Sequence, residues 1–150
     1  MTSITARARA AAFCERFGLR LPILLAPMAG STPAPLATAV ANAGGMGAFG
    51  ALNATPEGIA DWARTFRAQS NGSFQINLWI PDPPPERDAA REAAMADFLA
   101  GHGPRPSVPD GPLLPDFAAQ CRAMLAVGPA AISSIMGVFP AEVIAEAKAR

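Results

Sequence analysis

Two carboxamides, Gln75 and Asn77, occupy alternate positions of the otherwise apolar segment "FQINLWI". A hydroxyl pair, Ser133 and Ser134, sits in "AISSIMG", and two thioethers, Met28 and Met136, fall close to glycines in "APMAG" and "IMG". Carboxamides donate and accept hydrogen bonds at once. Methionine and glycine can lie close against an aromatic ring system. The set holds no carboxylate pair, no histidine and no cysteine, so acid–base hydrolysis and metal binding fit it poorly. A flat, conjugated ligand with an N and O edge fits better, a flavin or a similar heterocycle.

These residues need elements that carry them to one place. Four times the chain runs from a short apolar stretch through a Gly/Pro-marked turn into a helix-like stretch. The first apolar run, 22–26, lacks alternation, as a strand covered on both faces does. A turn over 28–35 leads to a helix over 36–43 with Leu36, Val40 and Ala43 on one face, ended by Gly44-Gly45. The second run, 46–52, is glycine-rich, which weakens a strand but permits close backbone approach. Thr55-Pro56 then opens a helix, threonine as N-cap and proline as first helical residue, with Ile59, Trp62, Ala63 and Phe66 as its apolar stripe.

The third run, 74–80, alternates cleanly. Phe74, Ile76, Leu78 and Ile80 form one face, and Gln75, Asn77 and Trp79 the other. A polar face on a covered strand requires partners. The proline run 83–85 reads as a stiff connector into a helix over 86–99, and 100–115 is too rich in glycine and proline for an element. Residues 116–127 form a further helix with Phe117, Cys121, Met124 and Leu125 as its stripe. The fourth run, 130–137, leads into a helix from Pro140, with Val143, Ile144 and Ala147 inward and an i,i+4 pair from Glu146 to Arg150.

Strands alternating with helices imply parallel βαβ units. Four units in 150 residues are close to half of an eightfold barrel of roughly 250 residues. The expected fold is therefore α/β: the N-terminal half, four βα units, of a TIM-type (β/α)8 barrel. Residues 1–150 then form a single partial barrel domain, the C-terminal half being absent; a doubly wound sheet is the alternative. In such barrels function sits at the carboxyl ends of the strands. Those ends are Pro27, Met28, Ala29 and Gly30; Gly47 to Leu52; Gln75, Asn77 and Trp79; and Ser133, Ser134, Met136 and Gly137. Backbone groups at Met28 and Ala29, left without ladder partners by the turn, add further contacts.

Bulk composition excludes several other classes. Twelve basic and twelve acidic residues cancel, so no basic stripe points to nucleic acid. No apolar run reaches membrane-spanning length and the start lacks the apolar core of a signal peptide, so the expected location is the cytoplasm. Cys14 and Cys121 are far apart and read as buried small hydrophobes. His102, the only histidine, reads as a solvated loop residue, and Trp62 and Trp79 as packing residues.

The stretches "PILLAPMAGSTPAPLATAVANAGGMGAFGA", "FQINLWIP" and "AISSIMGVFP" together resemble the N-terminal half of the nitronate monooxygenase family, formerly called 2-nitropropane dioxygenases. The resemblance runs from about Phe17 onward. It implies an FMN-dependent (β/α)8-barrel oxidoreductase in which electrons pass from an alkyl nitronate, such as propionate 3-nitronate, to FMN and on to O2. It places Pro27, Met28 and Ala29 at the first flavin-contacting turn, Asn77 with Gln75 beside the ring, and Ser134, with Gly137, where the fourth strand reaches the same pocket. The family's Gly-Gly-His motif with its catalytic histidine is missing from these residues, as are its late glycine-rich phosphate loops. The catalytic base is therefore unassigned, and the expectation is that the 150 residues alone bind FMN weakly or not at all and do not turn over. A flavin-dependent enoyl-thioester reductase shares the same opening turn and is one alternative. A non-catalytic half barrel that completes itself by dimerising is another.

Overall fold

A computed structural model describes residues 5–83, 86–107 and 114–150. They fall into two compact units, one of residues 5–80 with 114–150, the other within 81–107. The expected connector at 83–85 and the irregular stretch at 100–115 lie partly outside the described residues.

The larger unit contains α1 (Ala6–Phe17), α2 (Ala34–Asn42), β1 (Gly47–Gly50), α3 (Pro56–Arg67), β2 (Phe74–Trp79), α5 (Phe117–Ala126), β3 (Ala131–Ile135) and α6 (Ala141–Ala149), and the smaller unit contains α4 (Ala89–Ala100). The strands form one parallel sheet in the order β1-β2-β3. Strand and helix thus alternate as in the first half of a TIM-type barrel. Local chemistry sets the helix starts. Thr55 accepts from the Gly58 N–H at 3.1 Å with Pro56 next in line, and Asp116 takes the same role for α5 through the Ala119 N–H at 2.6 Å. Asp88 caps α4 through the N–H groups of Ala90 and Arg91, so that helix starts three residues later than the pattern suggests. The alanine-rich start, α1, is capped by Thr5 and stopped by Gly18 at φ 65°.

The first apolar run departs from expectation. It joins the sheet only through one parallel bridge, Leu24 to Met46, with Leu25 N–H donating to Met46 and Met46 N–H donating to Ile23, each at 2.9 Å. Pro22 and Pro27 flank it and have no N–H to give, so among the described residues no longer ladder forms.

The face of α2 also differs. Ala34, Ala37, Thr38 and Ala41 are buried, whereas Leu36 is 40% exposed and Ala43 is exposed. The reason is the closeness of the approach. A Cβ on Gly47 would lie 2.9 Å from the Ala37 carbonyl, and one on Gly72 2.9 Å from Ala41 Cβ. Small residues let this helix sit down on the strand, and larger ones are turned away.

Beneath α3 and α5 the core matches the reading of the strands. Phe74, Ile76 and Leu78 pack with Ile59, Trp62, Phe66, Cys121 and Met124. Trp62 stacks between Phe49 and Phe66, with ring centroids 4.7 and 5.5 Å away. On α6, Val143, Ile144 and Ala147 are half-buried, and Arg150 pairs with Glu146 at 2.5 Å.

Candidate functional site

Strand alternation places Gln75, Asn77 and Trp79 on the sheet face opposite this core. Register then fixes their neighbours. On β1, Ala48 lies beside Gln75 and Gly50 beside Asn77; on β3, Ala131 lies beside Gln75, Ser133 beside Asn77 and Ile135 beside Trp79. Small residues flank each carboxamide, which leaves room at the strand tips.

The turn after the first run is pinned onto this face. Ser31 N–H donates to Met28 at 3.0 Å with Gly30 at φ 74°, the pattern of a type II turn, which favours glycine at its third position. Buried Thr32 donates from Oγ1 to the Met28 carbonyl at 2.9 Å and accepts from the Gly50 N–H at 3.3 Å. Its own carbonyl accepts from the Trp62 indole at 3.1 Å. Gly50 has no side chain because the turn occupies that place: a Cβ there would lie 2.5 Å from Ala29 N. Behind the tip of β1, buried Gln120 donates from Nε2 to the carbonyls of Ala51, Leu52 and Ala54 at 3.0, 3.1 and 2.8 Å. The apolar pattern of the sequence does not mark Gln120; its one signal is a polar residue beside the apolar stripe of α5.

These parts enclose a cavity of about 130 Å³ lined by Pro27, Ala29, Gly50, Leu52, Asn77, Trp79 and Ile135. Its walls are apolar and carry one carboxamide. Small-molecule pockets usually run from about 300 Å³ upward, so this one is too small to enclose a whole ligand of that class. No lining residue ionises, so the walls can hold, orient and desolvate a ligand but move no proton.

Of the residues expected to bind a cofactor, Pro27, Ala29 and Asn77 come together in this cavity. Met28 lies in the same turn, 41% exposed, and contributes its carbonyl to the turn's hydrogen bonds. Gln75 is buried one pleat below. Its Nε2 donates to the Leu25 carbonyl at 3.1 Å, and its Oε1 accepts from Ser133 Oγ at 3.3 Å. Ser133 in turn accepts from Asn77 Nδ2 at 3.0 Å. Ser134 is not brought to the cavity: it pairs in register with Leu78, and its hydroxyl donates to Gly137 at 2.7 Å. Trp79, expected only to pack, lines the cavity and is 37% exposed. At the tip of β3, Met136 adopts φ 67°, a left-handed conformation uncommon for a residue with a side chain. His102 is exposed in the smaller unit. Among the described residues no group of three or more His, Cys, Asp or Glu could hold a metal ion, and no helix is long and apolar enough to cross a membrane.

Known proteins resemble this chain in sequence and in fold. A nitronate monooxygenase of Paraburkholderia phytofirmans is 40% identical over 140 residues, covering 87% of this chain and 37% of that protein. One of Pseudomonas aeruginosa is 40% identical over 88 residues, covering 58% of this chain and 24% of that protein. The chain therefore spans well under half the length of these relatives. In the solved structure of nitroalkane oxidase from Streptomyces ansochromogenes, a match with TM-score 0.75 and 28% identity covers 92% of this chain and 40% of that one. The family model described as nitronate monooxygenase matches residues 12–150, so the chain belongs to the nitronate monooxygenase family.

Proposed function

We propose that residues 1–150 form one partial barrel domain supplying the ring-side wall of an FMN site, in a cytoplasmic enzyme that oxidises small alkyl nitronates with O2. The family is flavin-dependent. The observation that carries the reading is the pairing of one oriented carboxamide, Asn77, with apolar walls at the tips of parallel strands. The donor set fits such a cofactor. Pro27, Ala29, Gly50 and Leu52 offer flat apolar surface, and Gly50 lacks the side chain that would fill the turn's place beside them. Asn77 supplies the hydrogen bond that fixes in-plane orientation, and Gln75 supports it from one pleat below.

Bound here, FMN would supply the two-electron chemistry between nitronate and oxygen. The chain's own part is to bind, orient and exclude water. No residue of the cavity is assigned a proton.

The test is FMN titration of the native gene product, with oxygen uptake followed after addition of propionate 3-nitronate. Flavin binding with nitronate-dependent oxygen uptake is expected, and Asn77→Ala is expected to weaken FMN at least tenfold while the circular dichroism stays native. A native product that takes up no flavin, or an Asn77→Ala variant with unchanged affinity, would overturn the reading.

A further inference from the structure

The hydrogen bonds behind the cavity form a directed chain, and its direction is set at one end by the backbone. The Leu25 carbonyl can only accept, so the Gln75 group beside it, 3.1 Å away, must be the NH2. Gln75 Oε1 then faces Ser133 Oγ and needs a donor, which only the serine hydroxyl supplies there. With its single proton committed to Gln75, Ser133 can only accept from its other neighbour, so Asn77 must turn its Nδ2 toward it, at 3.0 Å. Reversing Asn77 would set Oδ1 against Ser133 Oγ, and one of two carbonyl oxygens would be left without a proton in a half-buried site. Among the described residues nothing donates to Asn77 Oδ1.

We propose that Ser133 is a positioning residue: it locks the Asn77 amide so that Oδ1, a hydrogen-bond acceptor, faces the cavity, and the site therefore selects a ligand that offers an N–H donor at its edge. The identity of that ligand as a flavin rests on the reading above, whereas the locking of the amide does not. The pyrimidine edge of a flavin carries one such donor, N3–H, between two carbonyls. The site would accept that edge and discriminate against a ring whose N3 is capped. The adjacent Ser134, with its hydroxyl on Gly137, has no part in this.

Two measurements on the native gene product decide it, each made for wild type, Ser133→Ala and Ser133→Thr. The first needs no ligand: proton exchange with water at the Asn77 side-chain amide, read by NMR on asparagine-labelled protein. Exchange is expected to be about tenfold slower in wild type and Ser133→Thr than in Ser133→Ala. Equal exchange in Ser133→Ala, with the native fold retained, would overturn the locking. The second compares the affinity of FMN with that of N3-methyl FMN. Wild type and Ser133→Thr are expected to prefer FMN about tenfold, and Ser133→Ala twofold or less, because its amide can present either edge. No preference in wild type, or an undiminished one in Ser133→Ala, would overturn the selection of a donor. Failure of all three proteins to bind either flavin would instead overturn the FMN reading and the donor edge assigned through it, while the exchange measurement still decides the role of Ser133.

Discussion

On one face of the sheet, Phe74, Ile76 and Leu78 lie with Trp62, Phe66 and Met124 in a dry core. On the other, Ala48, Gly50, Gln75, Asn77 and Ser133 present small side chains, two carboxamides and a hydroxyl. The strands are the same, and the residues alternate one for one. The first face is filled by large side chains that touch one another. The second is held by a hydrogen-bond chain with a cavity at one end, so part of its surface is kept for something else to fill. The core face should therefore carry most of the stability, and the cavity face most of the recognition.

Phe66→Ala tests this division most strongly. Phe66 is fully buried between Trp62 and Phe74, and truncation should destabilise by about 3–5 kcal/mol, read as a lowered urea midpoint. Gly50→Ala comes next. Its Cβ would meet Ala29 N at 2.5 Å, so the turn must shift, at about 1–3 kcal/mol, and the cavity changes shape. Ligand affinity should fall more than stability does. Gln75→Leu is smaller again: it strips the Leu25 carbonyl and Ser133 of a partner but adds apolar area, for a net loss of about 1 kcal/mol. A loss as large as that of Phe66→Ala would make the carboxamides structural and erase the contrast between the faces.

Which of these faces was legible depended on period and register. The alternation in 74–80 separates Phe74, Ile76 and Leu78 from Gln75 and Asn77 without any structure, because side chains on a strand repeat every two residues. The serine pair is different. Ser133 and Ser134 have similar neighbours in sequence, and only the pairing of Asn77 with Ser133 decides which one meets the carboxamides; a slip of one residue would exchange them. The α2 helix misleads for another reason. Its largest apolar residue, Leu36, points away because the backbone sits too near Gly47 for bulk, and that distance is a tertiary quantity. The first run reads as a strand on hydrophobicity alone, yet among the described residues it makes a single bridge, because its flanking prolines have no N–H to give to a ladder.

The smallest effect probes how dry the core face is. Cys121 lies in that core, 3% exposed, and burial pushes its thiol up from the ordinary 9.0 to about 11, with Asp116 and Glu142 adding to the rise and Arg122 opposing it. Below about pH 9 the thiol is protonated in folded and unfolded chains alike and contributes no pH dependence. Above it the unfolded chain ionises first, so the folded state binds more protons and stability falls as pH rises toward 11. The same protonation leaves little thiolate at pH 8, so Cys121 should react with iodoacetamide far more slowly than half-buried Cys14. Mass mapping of the labelled cysteines against time checks this. Equal rates would mean that water reaches the α5 side of the sheet, and the distinction between a dry face and a ligand face would lose its physical basis.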